Sequence, residues 1–411
     1  MRLTRLVLVF LTCSFLCVGG LAPAPLGAET LSKVDQKHLK SAFKYATKNQ
    51  WKRARSSAKR IENPLARKIV LYFDLERLGT TASFRELASF IKKNPHWPSI
   101  KRLKRRAEDA MKDSLPAKTV LDWFDGQEPV STAGWIQLGR ALLETDQEDE
   151  AREVIRNTWI NRNFAKRPEQ YFYKRYRKYL TRDDHLKRLD RLLWEGKNWP
   201  VRRMLRKVNS KYRALAEARL MLRHRFGNVD VAIAKVPKSQ MNNPGLIYER
   251  LRWRRRKGRY DQSIELLMPP PDNLVRPDLW WKERAYLARM ALQKGHVTDA
   301  YRLVKDHQLT QGSGFADAEW LAGWISLRFL DDPKTAFTHF QTMYEYVNFP
   351  ISKARGAYWT ARAAKALEQE EAARLWFRIA ATMPTAYYGQ LAAAHLGPGH
   401  GLRLPVQPDP E

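Results

Sequence analysis

From Glu29 onward the apolar residues recur at helical rather than alternating spacing, and brief polar turns separate the amphipathic stretches. The clearest run lies near the end of the chain. Ala372, Leu375, Trp376, Ile379 and Met383 stand at i, i+3, i+4, i+7 and i+11, which predicts one buried helical face. The stretch Ala354 to Gly397 reads as three consecutive helices. Pro384 suits the first turn of the third, where a missing N–H costs nothing, and Gly397-Pro398 supplies a stop. Small residues (Ala357, Ala361, Ala364) beside large aromatics (Tyr358, Trp359, Trp376, Phe377) let neighbouring helices approach and interlock.

Weak internal repetition carries this pattern upstream. Trp135-x2-Leu138-Gly139-x2-Leu142 approaches the tetratricopeptide opening W-x2-L-G-x2-Y, with Ala151 and Ile155 in the places of its later A-x3-F. Trp281-x2-Arg284-Ala285 and Trp359-x2-Arg362-Ala363 share a start, and Trp320 lies midway, so the three tryptophans are 39 residues apart. A unit of this kind cannot bury its apolar face alone. The predicted fold is therefore all-α: a curved α-solenoid, or superhelix, of stacked tetratricopeptide-like helical hairpins. An all-α bundle without regular stacking is the alternative.

Several stretches that suggest chemistry read better as local structure. Thr181 and Asp184 have the spacing of a helix cap, although His185 follows. Gly312-Ser313-Gly314 is too short to cradle phosphate and is expected to be a turn; Met268-Pro269-Pro270-Pro271-Asp272 is expected to be a rigid connector. The nine histidines form neither H-E-x-x-H nor a Cys/His cluster, so neither a metal site nor a cofactor is expected.

The first 28 residues change the picture of location. Arg2 and Arg5 precede a short apolar run, Leu6 to Leu21, which Pro23 and Pro25 interrupt, as in a secretory signal peptide cleaved near Ala28. Leu26 is large for the −3 position, which leaves an uncleaved anchor as the alternative. Both cysteines, Cys13 and Cys17, fall inside this leader, so the remaining chain must be stabilised by apolar burial without disulfides.

Charge adds a candidate surface. The formal net charge is +31, yet residues 261–411 hold 16 basic and 17 acidic side chains; the other 58 basic and 26 acidic groups precede them. A dense point is Arg250 to Arg259 around Trp253, and Arg252, Arg254, Arg255, Arg256 and Lys257 are the candidate contacts for a polyanion. Such a surface suits the carboxylate-bearing mesh of peptidoglycan or, less consistently with export, nucleic acid; the plain alternative is a solvated face. Nucleic acid is not an expected partner.

The closing segment carries a resemblance. Its Y-W-x-x-R-A helix (from Tyr358), alanine-rich helix and P-T-x-Y-Y-G-Q-L-A-x-x-x-L-G (Pro384–Gly397) resemble the soluble lytic transglycosylases of the bacterial periplasm. N-P-H-W-P-S-I-K-R-L (from Asn94), L-T-R-D-D-H-L-K-R-L (from Leu180), N-P-G-L-I-Y-E-R-L-R-W (from Asn243) and F-A-D-A-E-W-L-A-G-W (from Phe315) are similar to that family's superhelical region, in the same order. After the leader (1–28), the resemblance implies a superhelical solenoid (29–353) and a linker-like helical segment that precedes the catalytic domain in the family (354–397), followed by a tail (398–411). It implies a periplasmic protein with peptidoglycan as partner, in a family that cleaves glycan strands without water and leaves 1,6-anhydromuramyl ends.

The family uses one glutamate, placed directly before a serine, as general acid. No Glu-Ser pair occurs in this sequence, and the chain stops 14 residues after Gly397. No catalytic residue is therefore assigned, and the expectation is an inactive, murein-binding portion of such an enzyme. Tyr387, Tyr388 and Gln390 are candidates for docking a glycan or a separately encoded catalytic domain. An envelope scaffold that binds other proteins is the alternative function.

Overall fold

The computed structural model describes residues 31–400. The leader, its cleavage point near Ala28, both cysteines and the last 11 residues lie outside the described residues. Among the described residues the chain forms 22 α-helices, three short 3-10 helices and no strand. None of these helices is long and apolar enough to cross a membrane. The fold is the all-α solenoid that the periodicity predicts.

Helix starts are written into the sequence. Asn63-Pro64, Asn243-Pro244 and Asp332-Pro333 place a capping side chain before a proline at the first helical position, and each cap accepts from the backbone N–H three residues further on. Helix ends repeat one device as well. Asn49, Asp146, Gly258, Gly295, Asp331 and Glu368 take positive φ where one helix stops and its hairpin partner begins. Thr181 and Asp184 cap one another, the Thr181 N–H donating to Asp184 Oδ2 (2.8 Å) and the Asp184 N–H to Thr181 Oγ1 (3.2 Å).

Contacts divide the chain into two compact units, residues 1–184 and 185–411. In the first, Lys33–Thr47 pairs with Trp51–Ala58, Phe84–Lys93 with Ile100–Asp109, and Thr132–Glu144 with Glu148–Asn161. The last pair realises the tetratricopeptide-like spacing. A Cβ on Gly139 would lie 3.2 Å from the Ile155 side chain, and Ala151 and Ile155 are fully buried, so the glycine permits the close helix crossing.

In the second unit Ser210–His224 packs on Val229–Ala234 and Pro244–Arg256. Three regular hairpins follow: Pro277–Gln293 with Val297–Lys305, Gly312–Phe329 with Pro333–Tyr346, and Pro350–Ala366 with Glu370–Ala381. Trp281, Trp320 and Trp359 each sit on the first helix of one of them, which is the physical meaning of their even spacing. One apolar cluster joins Trp194, Tyr248 and Leu251 to Leu267, Leu274 and Trp280, so the core runs straight across the point where the sequence charge changes. The segment from Met268 to Arg276 connects two helices without helical structure of its own.

Three local expectations need correction. The buried face of Glu370–Ala381 is Ala373, Phe377 and Ala380, one residue out of phase with the predicted stripe, and Leu375 is 54% exposed. Ala373 and Ala380 allow the close approach, while Trp376 and Ile379 fill the flanks beside Tyr358 and Ala361. The next helix begins at Tyr387 rather than Pro384, because the Ala386 N–H folds back onto the Met383 carbonyl (3.0 Å) and closes a turn over Pro384. Gly312-Ser313-Gly314 is the first turn of a helix, with Gly312 at φ +83° providing the entry.

Candidate functional site

The basic candidates lie at the C-terminal end of Pro244–Arg256, where arginines also complement the helix dipole. Tyr248, Glu249 and Leu251 face inward, which puts a carboxylate into the core. Glu249 is held by Arg223 (Nη1 to Oε1, 2.5 Å) and Arg252 (3.4 Å). On the next hairpin the buried Glu283 receives Arg252 (3.3 Å) and Arg255. The hydrogen bond that Arg255 donates to Glu283 raises the Arg255 pKa above its ordinary value despite burial. Arg254 donates to the Gln262 carbonyl (2.6 Å) and Arg256 to the Arg223 carbonyl (3.2 Å). Of the five candidates, Arg256 and Lys257 are exposed, and Arg252, Arg254 and Arg255 are half-buried and spent on internal partners.

This is one rung of a recurrent arrangement. Buried carboxylates tie neighbouring helices elsewhere: Asp74 to Arg55 and Arg77, Glu108 to the Val130 and Ser131 N–H groups (2.9 and 2.6 Å), and Asp184 to Arg156 (2.9 and 3.1 Å). Glu319 lies between two histidines, with His307 Nε2 at 3.0 Å and His339 Nδ1 at 2.6 Å. Burial opposes its charge, but the two imidazoles bring its pKa down to about 2. Part of the arginine excess is thus internal structure.

Tyr387 is exposed, whereas the Tyr388 ring packs at 5.4 Å from Tyr358. Tyr388 also lies beside Arg355, whose guanidinium stands 3.8 Å over Trp320; burial holds its pKa below the ordinary value. Gln390 donates to the Pro384 carbonyl (3.2 Å) and stays exposed. The tyrosine pair therefore divides into one outward and one inward ring.

An open cleft of about 1100 Å³ lies in the first unit, lined by Thr81, Ser83, Ser114, Thr119, Trp123 and Asp109 among others. Burial raises the Asp109 pKa, yet the side chain is half-exposed and 3.6 Å from Arg106. That is not the apolar enclosure that a glycosidic general acid requires. Among the described residues, no group of three or more His, Cys, Asp or Glu side chains is arranged to hold a metal ion.

A further surface escaped the sequence reading. Trp199 is 72% exposed on Asn198–Met204, and Arg202 lies over both its ring (6.0 Å) and that of the exposed Phe226 (5.5 Å). The sequence does hold a signal: Trp199 has Glu195, Gly196, Arg202 and Arg203 at i±3 and i±4, so no apolar stripe contains it.

The helical stack shares its fold with solved lytic transglycosylases. The 70 kDa soluble lytic transglycosylase Slt70 of Escherichia coli superposes with a TM-score of 0.55 at 14% identity, over 93% of this chain and 60% of that one. The 70-kDa soluble lytic transglycosylase in complex with bulgecin A gives the same score and identity over 92% and 60%. The chain thus spans about three-fifths of the length of the transglycosylases it matches. The Cut9–Hcn1 hetero-tetramer of APC/C is also similar, at 11% identity over 88% of this chain and 91% of that one, but its TM-score of 0.24 carries no argument. No family model matches the chain, and no curated protein matches it in sequence.

Proposed function

We propose that these helices are the murein-holding superhelical portion of a periplasmic lytic transglycosylase, and that glycan cleavage is not performed by them. The observation that carries this reading is the shared fold across almost the whole chain, joined to the ordered motifs from Asn94 to Gly397. The net charge of +31 opposite a carboxylate-rich mesh supplies attraction. Retention of the purified full chain on murein sacculi tests it. The expected result is sedimentation with sacculi that weakens as salt rises, and no release of anhydromuropeptides. Failure to sediment at low salt overturns murein holding; release of anhydromuropeptides abolished by a single carboxylate substitution overturns the non-catalytic role.

A second reading, an envelope scaffold for protein partners, is favoured by one observation. Phe349 and Ile351 are 78% and 73% exposed in one turn, beside the exposed Tyr346. Co-sedimentation with sacculi distinguishes the two, because a pure protein scaffold has no affinity for bare murein.

A further inference from the structure

The exposed Trp199 belongs to a built surface on the second unit. Three elements contribute: Asn198–Met204 supplies Trp199 and Arg202, the end of Ser210–His224 and its following turn supply His224 and Phe226, and Pro244–Arg256 supplies Arg256. The guanidinium of Arg202 lies over both aromatic rings, and His224 stacks on Phe226 with centroids 6.2 Å apart. Arg202 Nε donates to Asn198 Oδ1 (3.0 Å), which fixes the plane of the guanidinium; its two terminal nitrogens have no protein acceptor among the described residues. Arg256, anchored on the Arg223 carbonyl, stands next to His224 and makes no ion pair among the described residues. Of the carboxylates that act on Arg256, Glu283 is buried and taken by Arg252 and Arg255, and Glu249 is buried and taken by Arg223 and Arg252.

We propose that Trp199, Arg202, His224, Phe226 and Arg256 form a binding site for a carboxylate-bearing peptidoglycan strand, an assignment that rests on the murein-holding function above. A rigid guanidinium with two unengaged terminal NH2 groups matches a carboxylate bidentately. Ring edges on either side offer apolar contact to the saccharide or peptide backbone that carries the carboxylate. Arg256 adds a second positive charge along the strand. An anionic lipid surface fits less well: the two rings are joined through Arg202, so burying them in hydrocarbon would bury a charge with them.

Sedimentation of the full chain with purified murein sacculi, and with sacculi whose carboxylates have been amidated, tests the site. Arg202→Glu lowers affinity about tenfold and Trp199→Ala about threefold, a loss of roughly 1.4 kcal/mol for the tenfold change. Both positions are exposed, so the melting temperature stays at the wild-type value. Lys211→Glu, an exposed charge reversal on the same helix as His224, changes affinity less than twofold. Amidated sacculi bind wild type weakly and no longer distinguish it from Arg202→Glu. Equal losses from Arg202→Glu and Lys211→Glu overturn the site in favour of diffuse attraction. Wild-type retention insensitive to both Arg202→Glu and Trp199→Ala overturns it while leaving murein holding intact. Loss by Arg202→Glu of binding to anionic phospholipid vesicles, with sacculus binding unchanged, reassigns the surface to lipid. No wild-type binding to sacculi overturns both.

Discussion

Glu368 closes the first helix of the last regular hairpin at φ +60°, a conformation that Gly258 and Gly295 adopt in equivalent turns without a Cβ to clash. Glu368→Gly is therefore expected to raise stability by roughly 0.5–1 kcal/mol, the relief of left-handed strain outweighing the added freedom of the unfolded chain. Gly323 has the opposite requirement. A Cβ there would stand 2.6 Å from the fully buried Phe340 ring, so Gly323→Ala should cost about 1–3 kcal/mol through overpacking. Chemical denaturation of the two variants checks both signs; equal effects would show that neither backbone freedom at Glu368 nor helix spacing at Gly323 governs stability there. At this scale the sequence is informative where chemistry is local. The Asn-Pro and Asp-Pro starts and the Gly397 stop are legible, whereas the left-handed Glu368 is not, because nothing in its neighbours demands that conformation.

Between helices, the recurring contact is a buried carboxylate held by groups on adjacent turns or the preceding repeat. Glu283 takes Arg252 and Arg255 from about 30 residues earlier, so Glu283→Gln should leave two half-buried guanidinium groups underpaired and cost about 3 kcal/mol. A double replacement of Glu283 and Arg255 by apolar residues should recover part of that loss, which a double-mutant cycle would reveal. Glu319 makes a pH prediction. Its pKa in the fold, about 2, lies below the ordinary 4.5, so its contribution is fully present above pH 4.5 and disappears as pH falls toward 2. That contribution is roughly 3 kcal/mol. Wild type should lose stability across this window more steeply than Glu319→Gln; His307, His339 and Tyr301 are the titratable groups that face the site. Parallel pH profiles would remove Glu319 from the account. These ties explain what periodicity left out. Glu249, Glu283 and Glu319 occupy inward positions among apolar residues, and apart from Arg252 at i+3 of Glu249 their partners sit on other elements with no short-range spacing to announce them. The one-residue phase error on Glu370–Ala381 has a related cause: alanine, rather than the larger residues, marks the closest helix contact.

For the whole molecule, the charge boundary seen along the sequence near residue 260 does not coincide with a structural boundary. Residues 1–184 carry 36 basic and 21 acidic side chains, net +15, and residues 185–411 carry 38 and 22, net +16. Each unit is therefore basic, and within the second the excess belongs to residues 185–260, whose Trp194, Tyr248 and Leu251 share a core with Leu267, Trp280 and Ile325. A chain cut after residue 260 would split that core, and reversing Arg254, Arg255 and Arg256 together would break the Glu283 tie along with any surface contact. The informative division lies between Asp184 and His185. Residues 185–411 should unfold cooperatively as a separate helical piece, because the apolar clusters around Trp280, Leu222 and Phe377 each lie within the unit. On murein sacculi this piece should be retained at low salt and released as salt rises, since a Debye length of roughly 8 Å at physiological ionic strength confines attraction between exposed charges to near contact. Residues 261–411 alone should show neither cooperative unfolding nor retention. Calorimetry and sedimentation on the two fragments decide the matter. A folded, murein-retained 261–411 fragment would place the binding surface beyond the basic segment, and salt-independent retention of 185–411 would remove electrostatics as its cause.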